Sequence, residues 1–243
     1  MFLRKLEILG NHGILNKCDM ARIYSTSYFH YTKNLKSLES ILQGGFQGFY
    51  CREEFKFKSE LTNIYVPMVS FCDLPLSHIA SMTYGDYVIG MSSVWGNGCH
   101  LTPICYFPPK ADNPLTRFIS SLAKRFVEGK VKYYEATILA YSKPKNKYTT
   151  NGHTRDNYKE RECRRAYTSG ITIDVNKHRT PCPNLKLSFT ETDITFIIVK
   201  DEQTKSALMQ SMQTWTTVGG NVISNKELLY TKILTKQEIA SNF

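Results

Sequence analysis

Glu160 and Glu162, in the run Glu160-Arg161-Glu162-Cys163-Arg164, are the residues of this chain best placed to do chemistry. On a β-strand side chains alternate between faces, so an E-x-E pair sends both carboxylates into one space while Arg161 and Cys163 point away. On a helix the same two residues lie roughly 200° apart and cannot cooperate, so the chemistry requires a strand. Two acids in one cleft crowd like charges, which raises at least one pKa and prepares it for acid or base work. The competing reading of a bare E-x-E is a solvated Glu/Arg face.

The elements that must position this pair are partly visible in the sequence. Tyr28-Phe29-His30-Tyr31-Thr32 reads as a short strand delivering His30 to its end. A Thr32 or Asn34 cap follows, then a helix with Leu35, Leu38, Ile41 and Leu42 on one face and a Gly44-Gly45 stop. Val66 to Phe71 forms an apolar strand ending in Ser70, Phe71 and an Asp73-x-Pro75 turn, and a Tyr84-Gly85 turn opens a further strand running to Gly90. Asn113, Pro114, Leu115, Phe118, Ile119, Leu122, Phe126 and Gly129 supply an N-cap, a first-turn proline, an apolar stripe and a C′ glycine. Tyr133 to Tyr141, Ile171 to Val175, Ile194 to Val199 and Leu228 to Leu234 read as strands, and Asp201 to Met212 as a helix. The basic segment 142–157 has no apolar periodicity and reads as a loop over the cleft. The expected class is α+β, and with no low-complexity linker residues 1–243 form a single domain.

In order, HYT, VPMVSFCDLPLSHI, YGDYVIGMSSVWG, TPICYF and NYKERECRR resemble the AbiGi-type abortive phage resistance family over roughly residues 28–200. Cys163 departs from that family's E-R-E-W-R closing motif, which carries Trp there. The succession His30, Ser70-Phe71, Glu160-x-Glu162 also resembles the three-part signature of ADP-ribosyltransferases, including the RNA-modifying toxin of toxin-antitoxin-chaperone systems. That resemblance implies an ADP-ribosyltransferase-like fold, NAD as co-substrate, and a defence toxin with an antitoxin and a chaperone as partners. It implies that His30, Tyr31, Thr32, Ser70, Phe71 and Arg164 line the NAD site, Arg164 as a bidentate pyrophosphate contact. Cleaving the nicotinamide–ribose bond leaves an oxocarbenium-like sugar, which a fixed Glu162 carboxylate would stabilise. Glu160 would orient or deprotonate the acceptor.

Charge indicates the acceptor. Thirty-one basic and 21 acidic residues give +10. Half of that lies between Lys143 and Arg165, where eight basic residues (Lys143, Lys145, Lys147, Arg155, Lys159, Arg161, Arg164, Arg165) meet three acids. Lys143, Lys145, Lys147, Arg155 and Arg165, interleaved with Tyr148 and Tyr158, suit a polyanion whose bases can stack, with RNA as the expected partner. Met1 to Leu15 lacks the uninterrupted apolar run of a signal peptide, and no stretch is apolar enough to span a membrane. Seven cysteines without regular spacing suit a reducing cytoplasm. No P-loop, G-x-G-x-x-G, H-E-x-x-H or C-x-x-C occurs. Two rival readings remain: a metal-dependent nuclease holding a cation with these acids, and a non-catalytic antitoxin, a role already attached to the AbiGi label.

Overall fold

The computed structural model describes residues 26–57, 60–82, 84–110, 112–150 and 153–242, with the side chains at 56, 57, 60, 147–150 and 153–155 outside that description. The N-terminal stretch read above for a leader therefore lies outside the described residues, as do the side chains of Lys147, Tyr148 and Arg155.

The strands are β1 Ser27–Thr32, β2 Phe46–Phe57, β3 Glu60–Cys72, β4 Tyr87–Ser92, β5 Thr102–Pro103, β6 Cys105–Phe107, β7 Ser142–Pro144, β8 Lys147–Thr150, β9 His153–Asp156, β10 Glu162–Ala166, β11 Pro181–Leu187, β12 Ile194–Val199, β13 Thr217–Val218, β14 Asn221–Val222 and β15 Ile233–Thr235. The helices are α1 Leu35–Gly44, α2 Leu76–Ile79, α3 Ser93–Gly98, α4 Pro114–Val127, α5 Tyr133–Ala140, α6 Glu202–Met212, α7 Lys226–Tyr230 and α8 Lys236–Asn242. Among the described residues, nine strands form one mixed sheet in the order β11-β2-β3-β1-β4-β12-β15, with β10 attached to β3 and β5. Every pairing in it is antiparallel except β12 with β15. This is a mixed α+β architecture.

The site is set by a fork in β3. Its first nine residues pair with β2, from Phe57↔Glu60 to Phe49↔Met68, and its last five with β10, from Met68↔Ala166 to Cys72↔Glu162. β1 pairs with β4 along all six of its residues yet meets β3 at Phe29↔Cys72. Because strand side chains alternate, one face of β3 carries Ile64, Val66 and Met68, buried with Phe55, Ile119, Leu122 and Leu139 under α4 and α5. The other carries Val69 and Phe71, packed with Leu38, Leu42, Trp95, Leu208 and Met212 from α1, α3 and α6. Ser70, two residues beyond Met68, belongs to the first face. So do Glu162 and Arg164 on β10, four and two residues from the buried Ala166. The polar group therefore sits where an apolar layer ends.

Helix α4 follows its sequence signals: Asn113 accepts hydrogen bonds from the N–H groups of Leu115 and Thr116, Pro114 starts the helix, and Gly129 ends it at φ 70°. In α1 the cap is Asn34, not Thr32. Strand β12 and helix α6, capped by Asp201, also match their sequence reading.

Four expectations are corrected. Tyr133–Ala140 is helical: Glu135 accepts the Lys132 N–H at 2.8 Å and Ala136, Leu139 and Ala140 bury against the sheet, overriding the β-preference of its tyrosines, Thr137 and Ile138. Ile171–Val175 carries one isolated bridge, Tyr65↔Thr172, and then a 3₁₀ turn over Val175–Lys177. The segment 228–234 divides into the end of α7, capped by Asn225, and the start of β15. The basic segment 142–157 is β7 followed by the β8–β9 hairpin, with registers Lys147↔Asp156 to Thr150↔His153.

Candidate functional site

Glu160 and Glu162 do converge, but by a different route from strand alternation. Glu160 ends a 3₁₀ turn, Asn157–Glu160, and Glu162 begins β10. Arg161 between them is left-handed, φ 43° and ψ 51°, and this reversal brings both carboxylates to one ammonium. Lys143 Nζ donates to Glu160 Oε2 at 3.1 Å and to Glu162 Oε2 at 2.9 Å. Arg161 faces outward and pairs with Asp73 at 3.1 Å.

Behind Glu162 lies a buried relay. Arg164 Nε donates to Glu162 Oε1 at 2.5 Å, its Nη2 to Glu53 Oε1 at 2.6 Å, and its Nη1 to the Ala140 carbonyl at 2.9 Å. Ser70 Oγ, across the ladder from Arg164, donates to Glu162 Oε1 at 2.7 Å. Tyr84 OH donates to Glu160 Oε1 at 2.7 Å. Gly85 allows this tyrosine its place, since a Cβ there would lie 2.1 Å from the Thr32 carbonyl oxygen. Glu53, Glu160, Glu162, Arg164 and Lys143 thus form one network of three carboxylates and two cations, −1 when all are ionised. A network taken out of water this far holds only because each charge has a partner.

The expectation that crowding raises a carboxylate pKa within the pair is corrected for Glu162. Burial alone would raise it, but the Arg164 guanidinium and Lys143 ammonium outweigh burial and hold its carboxyl well below the usual carboxylate range. The acid pushed upward is Glu53, where burial outweighs Arg164 and Lys143. Lys143 is raised: burial lowers it, and Glu162, Glu160 and Glu53 more than compensate. Burial lowers His30, so its ring is neutral at pH 7. Its Nδ1–H donates to the Ser70 carbonyl at 2.8 Å, which leaves Nε2 as an acceptor.

These groups enclose a cavity of about 390 Å³ lined by His30, Tyr31, Lys33, Ser70, Tyr84, Lys143, Glu160 and Glu162, with Glu53, Cys51 and Arg164 behind them. Tyr31 stands edge-on to Tyr84 at 5.7 Å and donates to the Ile79 carbonyl.

Other assignments change. Arg164 is wholly buried and bound to two carboxylates and a carbonyl, so it positions Glu162 and offers no fork to a pyrophosphate. Phe71 is 1% exposed and packs on Phe46 and Trp95, which makes it core with one edge at the cavity. Thr32 is buried, and its hydroxyl donates to the Asn34 carbonyl, closing the β1–α1 turn. Lys143 is not on a substrate-binding loop but inside the acid pair. Arg165 lies on the opposite face of β10 from Glu162. Lys145 and Tyr158 are outside this cavity and together, the ammonium 3.9 Å from the ring centroid. Sequence reasoning missed Glu53 and Tyr84. The signal for Glu53 is its place between Cys51 and Phe55 on the inward face of β2, a carboxylate in an apolar alternation.

The fold and site define a mixed α+β protein with a buried, anionic carboxylate at the base of a polar cavity. Residues 45–200 match the family model described as "Putative abortive phage resistance protein AbiGi, antitoxin", and the chain belongs to this family. The match places it in anti-phage abortive infection and includes all five members of the charged network. No curated protein and no solved structure matches the chain. Among the described residues no helix is long and apolar enough to cross a membrane, and no group of three or more His, Cys, Asp or Glu is arranged to hold a metal ion.

Proposed function

We propose that the cavity binds the nicotinamide-ribose part of NAD and that the protein transfers ADP-ribose to RNA in abortive infection. One observation carries this reading: Glu162 is a carboxylate held well below the usual carboxylate range, its oxygens bound by Ser70, Arg164 and Lys143 at the base of the cavity. Such a site favours a cationic nicotinamide and, more strongly, the oxocarbenium that forms as the bond from ribose C1 to nicotinamide breaks and nicotinamide leaves with the electron pair. An acceptor oxygen or nitrogen then bonds to C1 and gives its proton to Glu160, which Tyr84 and Lys143 orient. Neutral His30 offers Nε2 to a ribose hydroxyl. The net charge of +10 supports a polyanionic acceptor.

The family description favours a second reading, a non-catalytic antitoxin that binds a toxin partner, in which the same network only stabilises the fold. Incubating the protein with adenylate-labelled NAD and separate RNA, DNA and protein pools separates the two. Label on RNA with release of nicotinamide supports the transferase; no nicotinamide release from any pool supports the antitoxin.

A further inference from the structure

A second, larger cavity lies against the same turn. It encloses about 1,030 Å³ and is lined by Tyr106, Tyr158, Lys159, Arg161 and Cys163, with Ile104 and His78 among the other walls. Arg161 and Cys163 are the residues that alternate away from the acid cavity, and Glu162 lines both spaces. Tyr106 ties them together, its OH accepting the Glu162 N–H at 3.0 Å.

The two spaces differ in how many charges line them. The first holds three carboxylates, whereas the second has Asp73, already paired with Arg161, and Glu162 as its carboxylates. Its walls include Leu74, Met82 and Ile104, and its lining charges balance, Lys159 and Arg161 against Asp73 and Glu162. Tyr158 is 52% exposed and stands perpendicular to Tyr106 at 5.4 Å. Lys145 lies over that ring and Lys159 follows it in sequence, so cations sit beside an aromatic shelf. A base stacked on Tyr158, with Lys145 passing from the ring to a phosphate and Lys159 beside it, uses both the ring and the cations.

We infer that this second cavity is the acceptor site and seats one unstacked base of a single-stranded RNA. The inference rests on the transferase reading and locates its acceptor. Seating the base there brings its nucleotide to the wall formed by Glu162, beside Glu160.

The test is equilibrium binding of fluorescein-labelled 12-mer RNA, and DNA of the same sequence, to the full chain and to Tyr158→Ala and Tyr158→Phe, followed by anisotropy. Loss of one stacking platform weakens RNA binding about 5- to 140-fold in the Ala variant, while the Phe variant, which keeps the ring, binds like wild type. A parallel loss with DNA also supports the seat, since stacking reads the base and not the sugar. Wild-type affinity in Tyr158→Ala, or loss in both variants with an unchanged melting temperature, overturns it. RNA binding that is undetectable while a protein pool becomes labelled overturns it as well. Nicotinamide release by the wild-type chain, measured separately, reports on the transferase reading alone.

Discussion

Replacing Lys143 by Met removes the ammonium while keeping most of the side chain's volume. Its Nζ lies 2.9 Å from Glu162 and 3.1 Å from Glu160. At an effective dielectric of about 20 each contact is worth roughly 5–6 kcal/mol before desolvation. Taking the ammonium out of water offsets much of this, and breaking such a pair from one side costs about 3–5 kcal/mol net. With 19% of the Lys143 side chain still exposed, the low end applies, about 3 kcal/mol. For 243 residues an unfolding entropy of about 2.1 cal/mol/K per residue converts this to a fall of about 6 °C in melting temperature at pH 7. Adding Glu160→Gln to Lys143→Met relieves the two facing acids, so the double variant melts above the sum of the single losses. Thermal unfolding followed by circular dichroism measures all of this. A Lys143→Met protein melting within a degree of wild type at pH 7 refutes the bridge and the charge balance built on it.

Acid stability follows from two depressed groups. The folded Glu162 pKa is depressed, so its contribution is present above the ordinary carboxylate range and is lost as pH falls through that range toward the folded value. His30 is depressed too, and the unfolded chain takes up its proton first, so stability begins to fall below about pH 6.5. Glu53, held up by burial, acts in the opposite sense and partly offsets the Glu162 loss. Melting curves from pH 7 to 4 should therefore decline from pH 6.5, and His30→Gln should delay the decline to the carboxylate range; an unchanged profile in that variant counts against a neutral His30. Arg161→Gly suits the left-handed turn and sacrifices only an exposed ion pair, so it keeps stability within about 1 kcal/mol and retains nicotinamide release. Arg161→Val resists that conformation and turns Glu160 away, so transfer of label to RNA falls; equal transfer in both variants would show that the turn does not position Glu160.

The sequence disclosed elements whose local chemistry and tertiary role agree. Asn113, Pro114 and Gly129 bound α4 because caps and stops act locally, and Ser27–Thr32 alternates where the structure has a strand. Tyr133–Ala140 was opaque because its β-branched and aromatic residues point to a strand while burial of Ala136, Leu139 and Ala140 requires a helix. The convergence of Glu160 and Glu162 was legible, but its cause was not. Nothing in E-x-E announces that Arg161 takes a left-handed conformation, or that Lys143, 19 residues from Glu162, would fill the space between the acids. Arg164 and Arg161 look alike in sequence, yet register separates them: Arg164 lies opposite Ser70 and is buried against Glu53, while Arg161 sits outside the ladder and faces Asp73.

Glu162→Gln tests the central claim most directly. The amide keeps the shape and still accepts from Ser70, and Arg164 and Lys143 each retain a carboxylate partner in Glu53 and Glu160, so the protein remains folded. The charge beside the forming oxocarbenium is lost, together with the acceptor that Lys143 and Arg164 Nη2 use on Oε2. Nicotinamide release from labelled NAD, measured on wild type and variant at equal folded concentration, should drop about 100-fold or more. Release by the Gln variant at the wild-type rate would contradict the assignment of Glu162 as the group that stabilises the transition state.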